Sequence, residues 1–191
     1  MRNSLLFVLA AAALLAAPAA ARAQSDEWPR KYEVAFVVTG LDIEKWSGEK
    51  TGGVGGRFTY NFNEYAAVEV ELVRFPLSGG NNFGETQGLF GVKAGKRFGR
   101  VVGLFAKARP GFFRLGGAVA ARNPALGDTR FALDLGGVVE LYPSRRSFVR
   151  VDIGDTIIPL GDTPINSALR PPQSFGTTHN RQTTFSFGYR F

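Results

Sequence analysis

The sequence predicts an all-β fold, an eight-stranded antiparallel up-and-down transmembrane β-barrel with short periplasmic turns and longer extracellular loops. Three observations predict it. Eight segments of about ten residues alternate apolar side chains with polar or small ones, the period-2 pattern of a strand with two unlike faces. The connections between them alternate long and short along the whole chain, as barrels with turns on one side of a membrane and loops on the other require. The last segment, Arg181 to Phe191, puts Phe185, Phe187, Tyr189 and Phe191 on one face and Thr184, Ser186, Gly188 and Arg190 on the other. A soluble sheet would cover such an aromatic face with a second layer, and no other segment supplies one. A face turned to lipid needs no cover. A soluble lipocalin-like barrel, the competing fold, would turn its apolar faces inward and would not finish on an exposed aromatic strand.

The chain has 191 residues, one domain by length. Met1 to Ser4 is a short basic start, and Leu5 to Ala17 is apolar and uncharged. Pro18 ends that run, and Ala21-Arg22-Ala23 places small residues where a signal peptidase needs them. Residues 1–23 are therefore expected to be a secretory signal cleaved before Gln24, leaving 24–191 as the barrel domain. The apolar run is too short to anchor as a helix, which takes about 20 residues, and no later segment is longer. The absence of cysteine excludes disulfides and thiolate chemistry. The formal charge of +7 falls to +5 once Arg2 and Arg22 are removed. Nucleic acid is not the expected partner, because the bases alternate with apolar residues along strands instead of forming a patch. Outer-membrane lipid and lipopolysaccharide suit an exported basic barrel better, and a monomer is expected.

The first strand is Lys31 to Thr39, with Tyr32, Val34, Phe36 and Val38 opposite Glu33 and Thr39. After a polar stretch, Gly53 to Phe62 places Val54, Phe58, Tyr60 and Phe62 opposite Arg57, Thr59 and Asn61. A tight turn at Asn61 to Glu64 follows, since Asn tolerates positive φ. Tyr65 to Phe75 sets Val68, Val70 and Leu72 against Glu69 and Glu71. A Gly/Asn loop leads to Thr86 to Phe98, where Phe90, Val92, Ala94 and Phe98 oppose Lys93 and Arg97. A turn at Phe98-Gly99-Arg100 starts Val101 to Arg109, with Val102, Leu104, Ala106 and Ala108 against Lys107 and Arg109. Pro110 to Thr129 reads as a loop that Phe112 to Val119 could shorten by extending the hairpin.

Arg130 to Tyr142 opposes Phe131, Leu133, Leu135, Val139 and Leu141 to Asp134 and Glu140. Pro143 to Arg146 is a turn with Pro well placed. Ser147 to Gly154 puts Val149, Val151 and Ile153 opposite Arg150 and Asp152. Asp155 to Asn180 is the longest loop, with four prolines, before the final strand. Tyr32, Phe62, Tyr65, Phe98, Tyr142, Phe148, Tyr189 and Phe191 all fall at periplasmic strand ends, where an interfacial girdle is expected.

On this pattern the mature chain resembles the small eight-stranded outer-membrane barrels of the OmpA/OmpX type, barrel domain only. The most specific part is the C-terminal strand, similar to that family's assembly signal at Thr184, Phe187, Tyr189 and Phe191, with Ser186 where glycine is usual. The resemblance implies insertion by the outer-membrane assembly machinery. No peptidoglycan-binding domain of the kind larger relatives carry is expected.

The polar faces carry a candidate lumen charge network. Its acids are Glu33, Glu69, Glu71, Asp134, Glu140 and Asp152, and its bases are Arg57, Lys93, Arg97, Lys107, Arg109, Arg150 and Arg190. An Arg or Lys facing hydrocarbon costs about 2–4 kcal/mol at the midplane, so all are expected inside. Eight strands leave room for side chains or one small ligand. Near-balanced charges there predict a salt-bridged plug, with a narrow charge-lined pore as the alternative.

Other motifs are weak. Gly91 to Arg97 approaches a phosphate loop but is one residue short, lacks Ser/Thr after Lys and has no helix to follow. Gly52 to Gly56 is not a dinucleotide fingerprint, and glycines here serve bends and close packing. His179 is the only histidine. As a base it would need a nucleophile within reach, with Ser174 and Ser186 nearby in sequence. A solvated loop histidine is expected instead, and neither an enzyme nor a cofactor or metal site is expected.

Overall fold

The computed structural model describes residues 30–43, 50–77, 84–114, 129–159, 162–163, 173–174 and 176–191. The expected signal peptide lies outside them. Eight long strands are formed by β1 (Tyr32–Ile43), β2 (Lys50–Asn61), β3 (Ala66–Leu77), β4 (Glu85–Phe98), β5 (Val102–Arg114), β6 (Thr129–Leu141), β7 (Ser147–Pro159) and β10 (Thr177–Arg190). They close in the order β1-β10-β7-β6-β5-β4-β3-β2. Two-residue strands β8 (Asp162–Thr163) and β9 (Gln173–Ser174) pair within the last long connection.

The eight expected strands are the eight barrel strands, and most are longer than their alternation indicated. The extension is at the extracellular ends. There the pattern inverts, so a reading that follows greasy-out, polar-in stops early. Leu41, Phe75, Phe113 and Ile158 are buried inward, while Arg74, Arg114, His179 and Arg181 are exposed. The stretches expected as loop at Pro110 and at both ends of Asp155 to Asn180 are therefore ladder. Pro110 itself sits in β5. It pairs with Leu133 of β6, but the β4 ladder lapses between Leu89↔Gly111 and Val92↔Ala108 without changing register. A residue with no N–H interrupts one side of a sheet and leaves the other intact.

Following the register once round the barrel fixes its geometry. Tyr32 pairs with Tyr60, and the row runs on through Val68, Val92, Ala108, Leu135, Asp155 and Arg181 to Asp42. The row thus returns to β1 ten residues higher than it left. That stagger across eight strands tilts them by about 40° and gives a backbone radius of roughly 8 Å. Such a bore has room for side chains and little else.

The short turns are built as their residues suggest. Asn63 Oδ1 accepts from the backbone N–H of Tyr65 (2.8 Å) and Ala66 (2.9 Å), placing that turn one residue later than expected. Gly99 takes φ 62°, which favours glycine. In the last turn Ser144 Oγ accepts from the Ser147 N–H at 2.9 Å, so Ser144 organises a bend that Pro143 only opens. Along the strands, a Cβ on Gly95 would lie 2.1 Å from the Leu104 carbonyl oxygen. The small bore forces neighbouring backbones that close, and only glycine fits.

Candidate functional site: the lumen and its rims

Strict alternation turns the thirteen charged side chains of the candidate network into the bore. None is more than 5 % exposed, and Lys93, Arg109, Asp134, Glu140, Asp152 and Arg190 are at 0 %. Contacts cross the barrel instead of running only along its wall. Arg57 of β2 donates to Glu71 from Nε at 2.7 Å and to Asp152 of β7 from Nη2 at 2.8 Å. Arg150 of β7 reaches Glu69 on β3, the strand opposite, with Nη2 2.9 Å away. Arg109 donates to Asp134 (2.8 Å) and Glu71 (3.0 Å), and Lys107 Nζ lies 2.8 Å from Asp134. Lys93 pairs with Glu140, and Arg190 Nε donates to Glu33 at 3.1 Å. Each charge buried from water needs such partners, because an isolated one would be very costly.

Several lumen residues were missed by the sequence reading. Tyr142 and Phe148, expected in the lipid-facing girdle, are buried at 5 % and 1 % and point inward. They share parity with Glu140 and with Arg150, so alternation identifies them, whereas their position at strand ends misled. Tyr142 accepts from Arg97 Nε at 2.9 Å, donates to Glu140 and lies 4.6 Å beneath the Arg190 guanidinium. Phe105 takes Lys93 at 4.7 Å and Arg97 at 5.0 Å over its ring, a favourable site for cations withdrawn from water.

Above the charges, toward the extracellular mouth, the bore changes character. Leu41, Val73, Phe75, Leu89, Phe113, Ala132 and Ile158 form a buried cluster, extended by Val37. Phe75 and Phe113 meet at 5.8 Å. Amides and hydroxyls are interleaved with it, Gln87 in register with Val73 and Phe113 and Gln182 with Leu41. Gln87 and Gln182 exchange hydrogen bonds across the lumen at 3.3 and 3.2 Å, and Gln182 also donates to Thr39 at 3.1 Å.

Outside, Phe36, Leu72, Phe90, Phe131 and Phe187 are each more than half exposed, as a lipid-facing band requires. At the periplasmic rim, Tyr32, Phe62, Tyr65, Phe98, Tyr189 and Phe191 remain outward. Phe191, just past the end of β10, stacks on Tyr32 at 5.8 Å, and its backbone N–H donates to the Tyr32 carbonyl at 3.0 Å. Phe187 and Tyr189 share that outward face, while Thr184 points inward and shares a 2.8 Å hydrogen bond with Thr39.

His179 lies on β10, not in a loop, and faces outward near the extracellular edge, its Nδ1 2.5 Å from Asp155 Oδ2. Ser186 points the other way, into the lumen, and accepts from Arg57 Nη1 at 3.2 Å. It stands on the wrong face to serve as a nucleophile for His179. Ser174 lies in β9. Among the described residues no group of His, Asp and Glu could hold a metal ion.

A closed eight-stranded barrel, apolar and aromatic outside and ionic within, is a transmembrane outer-membrane barrel. The family described as outer membrane protein beta-barrel domain matches residues 7–191, and the chain belongs to that family. No curated protein sequence matches it. Its fold is similar to the N-terminal β-barrel domain of Pseudomonas aeruginosa OprF (TM-score 0.53, 8 % identity, 83 % of this chain and 97 % of that one). Neisserial surface protein A is similar with TM-score 0.52, 14 % identity and coverage of 84 % and 97 %. OprG from P. aeruginosa gives 0.50, 13 % identity, 85 % and 96 %. At these identities the likeness is one of fold, and the family places the protein in the outer membrane.

Proposed function

We propose that the protein is a structural or surface-interaction barrel of the outer membrane whose lumen is plugged and does not conduct. The observation that carries this reading is the pairing of charged side chains from opposite walls of a bore only wide enough for side chains. The layer above them adds a second barrier, since Leu41, Phe75 and Phe113 packed beside the Gln87–Gln182 bridge fill the bore with side chains. The charge layer holds the walls together, and the mixed apolar and amide layer seals the mouth.

In this reading the C-terminal strand, with Thr184, Phe187, Tyr189 and Phe191, is recognised by the assembly machinery before β1 and β10 close the seam. Lipopolysaccharide surrounds the extracellular rim, and the protein works as a monomer. The outward Asp155–His179 pair is solvated and performs no chemistry. A solute-swelling assay tests the plug: vesicles carrying the refolded protein should swell in small sugars no faster than protein-free vesicles. Swelling that tracks the amount of inserted protein would establish a pore instead.

A further inference from the structure

The outward surface at the extracellular edge is not uniform around the barrel. On the β3–β6 side, Arg74, Thr86, Arg114 and Thr129 lie in one hydrogen-bonded row. Arg74 and Arg114 are exposed, and neither makes an ion pair with a carboxylate among the described residues. Glu71, three residues before Arg74, and Glu85, in register with the neighbouring Phe75, are both turned inward, at 1 % and 5 % exposure. One strand, β4, lies between the guanidinium-bearing positions, which puts them two strand spacings, about 10 Å, apart at the backbone. One alternation below them the same strands present Leu72, Phe112 and Phe131, all outward.

The β7–β10–β1 side has the opposite arrangement. Arg181 is flanked in register by Asp155 and Asp42, so that sector is electrically mixed. We propose that the Arg74–Arg114 row is a binding site for a bis-phosphorylated glycolipid of the outer leaflet, the lipid A class. Each arginine would take one phosphate, and the Leu72, Phe112 and Phe131 surface would take the acyl chains.

The physical case is one of complementarity. Guanidinium groups bind phosphate through paired N–H donors. At the edge of the apolar band water competes less well for that bond than it does in bulk. An anionic amphiphile satisfies both the cations and the apolar field beneath them, which no soluble anion does. The inference deepens the proposed contact with lipopolysaccharide by assigning it to one sector. It is independent of whether the lumen conducts.

The test is lipid binding to the refolded full chain in neutral detergent micelles, followed by native mass spectrometry. The probes are bis-phosphorylated lipid A, its mono-phosphorylated form and phosphatidylglycerol. The wild type should prefer the first over the other two, and Arg74→Gln with Arg114→Gln should weaken it about tenfold or more. Arg181→Gln, in the mixed sector, should leave binding unchanged, and the gel shift between unboiled and boiled samples should show every variant folded. Unchanged lipid A binding in the double variant would overturn the assignment. So would equal loss on Arg181→Gln, or phosphatidylglycerol binding as tightly as lipid A. A conducting barrel that still showed the sector-specific loss would sink the plug and leave this site standing.

Discussion

Arg109 and Lys107 share Asp134, but unequally. Arg109 holds it from Nε at 2.8 Å and from Nη2 at 2.6 Å, and spans to Glu71 as well. Lys107 touches Asp134 alone at short range. Removing Arg109 takes one of two cations from each of two buried carboxylates, leaving Asp134 with Lys107 and Glu71 with Arg57, so the loss stays below the roughly 3–5 kcal/mol of a fully unpaired buried charge. Removing Lys107 leaves Asp134 with its better partner. In denaturant unfolding from lipid vesicles, Arg109→Met, which weakens two carboxylates, should therefore cost more than Lys107→Met, which weakens one, and equal losses would contradict this division of roles. His179 gives the opposite expectation. Its pair with Asp155 is exposed at 62 % and 40 %, so His179→Ala should shift stability by less than about 0.5 kcal/mol in the same assay. The inward position of the thirteen charges was legible because none can face hydrocarbon cheaply. Tyr142 and Phe148 were equally legible from parity, but aromatic residues at a strand end satisfy a second rule, that of the interfacial girdle. Parity won because each must fill the bore beside a charged neighbour.

Strands were readable where their two faces differ in the expected sense. Their outer ends were not, because there the inside becomes apolar and the outside charged, and a one-sided pattern cannot register the exchange. Pro110 compounded this, since proline in sequence suggests a break, whereas β5 tolerates it by giving up pairing on one side only. Glycine placement offers a sharp element-level test. A methyl on Gly95 would meet backbone at 2.1 Å, whereas one on Gly137 would meet nothing within 4 Å. Gly95→Ala should destabilise the β4–β5 pairing by roughly 1–3 kcal/mol or more, and Gly137→Ala should be neutral. Unboiled gel mobility and urea midpoints would read both, and a neutral Gly95→Ala would show the strands to be less closely packed than described. At the seam, Phe191→Ala removes the stack on Tyr32. It should slow assembly more in vesicles that carry the assembly machinery than in protein-free vesicles, and equal slowing in both would contradict recognition of this strand by the machinery.

For the whole molecule, strand number and stagger decide what is possible inside. Ten residues of stagger over eight strands leave a bore that the cross-lumen pairs Arg57–Asp152, Arg150–Glu69 and Gln87–Gln182 span. Eight strands could be counted from the alternating connections. The stagger could not, because it depends on pairing between segments distant in sequence, and the apolar layer was hidden with it. Ion conductance of refolded residues 24–191 in a planar bilayer tests the central claim most directly, beside a variant with Phe75→Ala and Phe113→Ala that thins the layer at the mouth. The account predicts no discrete steps from the inserted wild type. Reproducible steps from the wild type, scaling with inserted protein, would contradict it and make the inward arginines and lysines the lining of a pore.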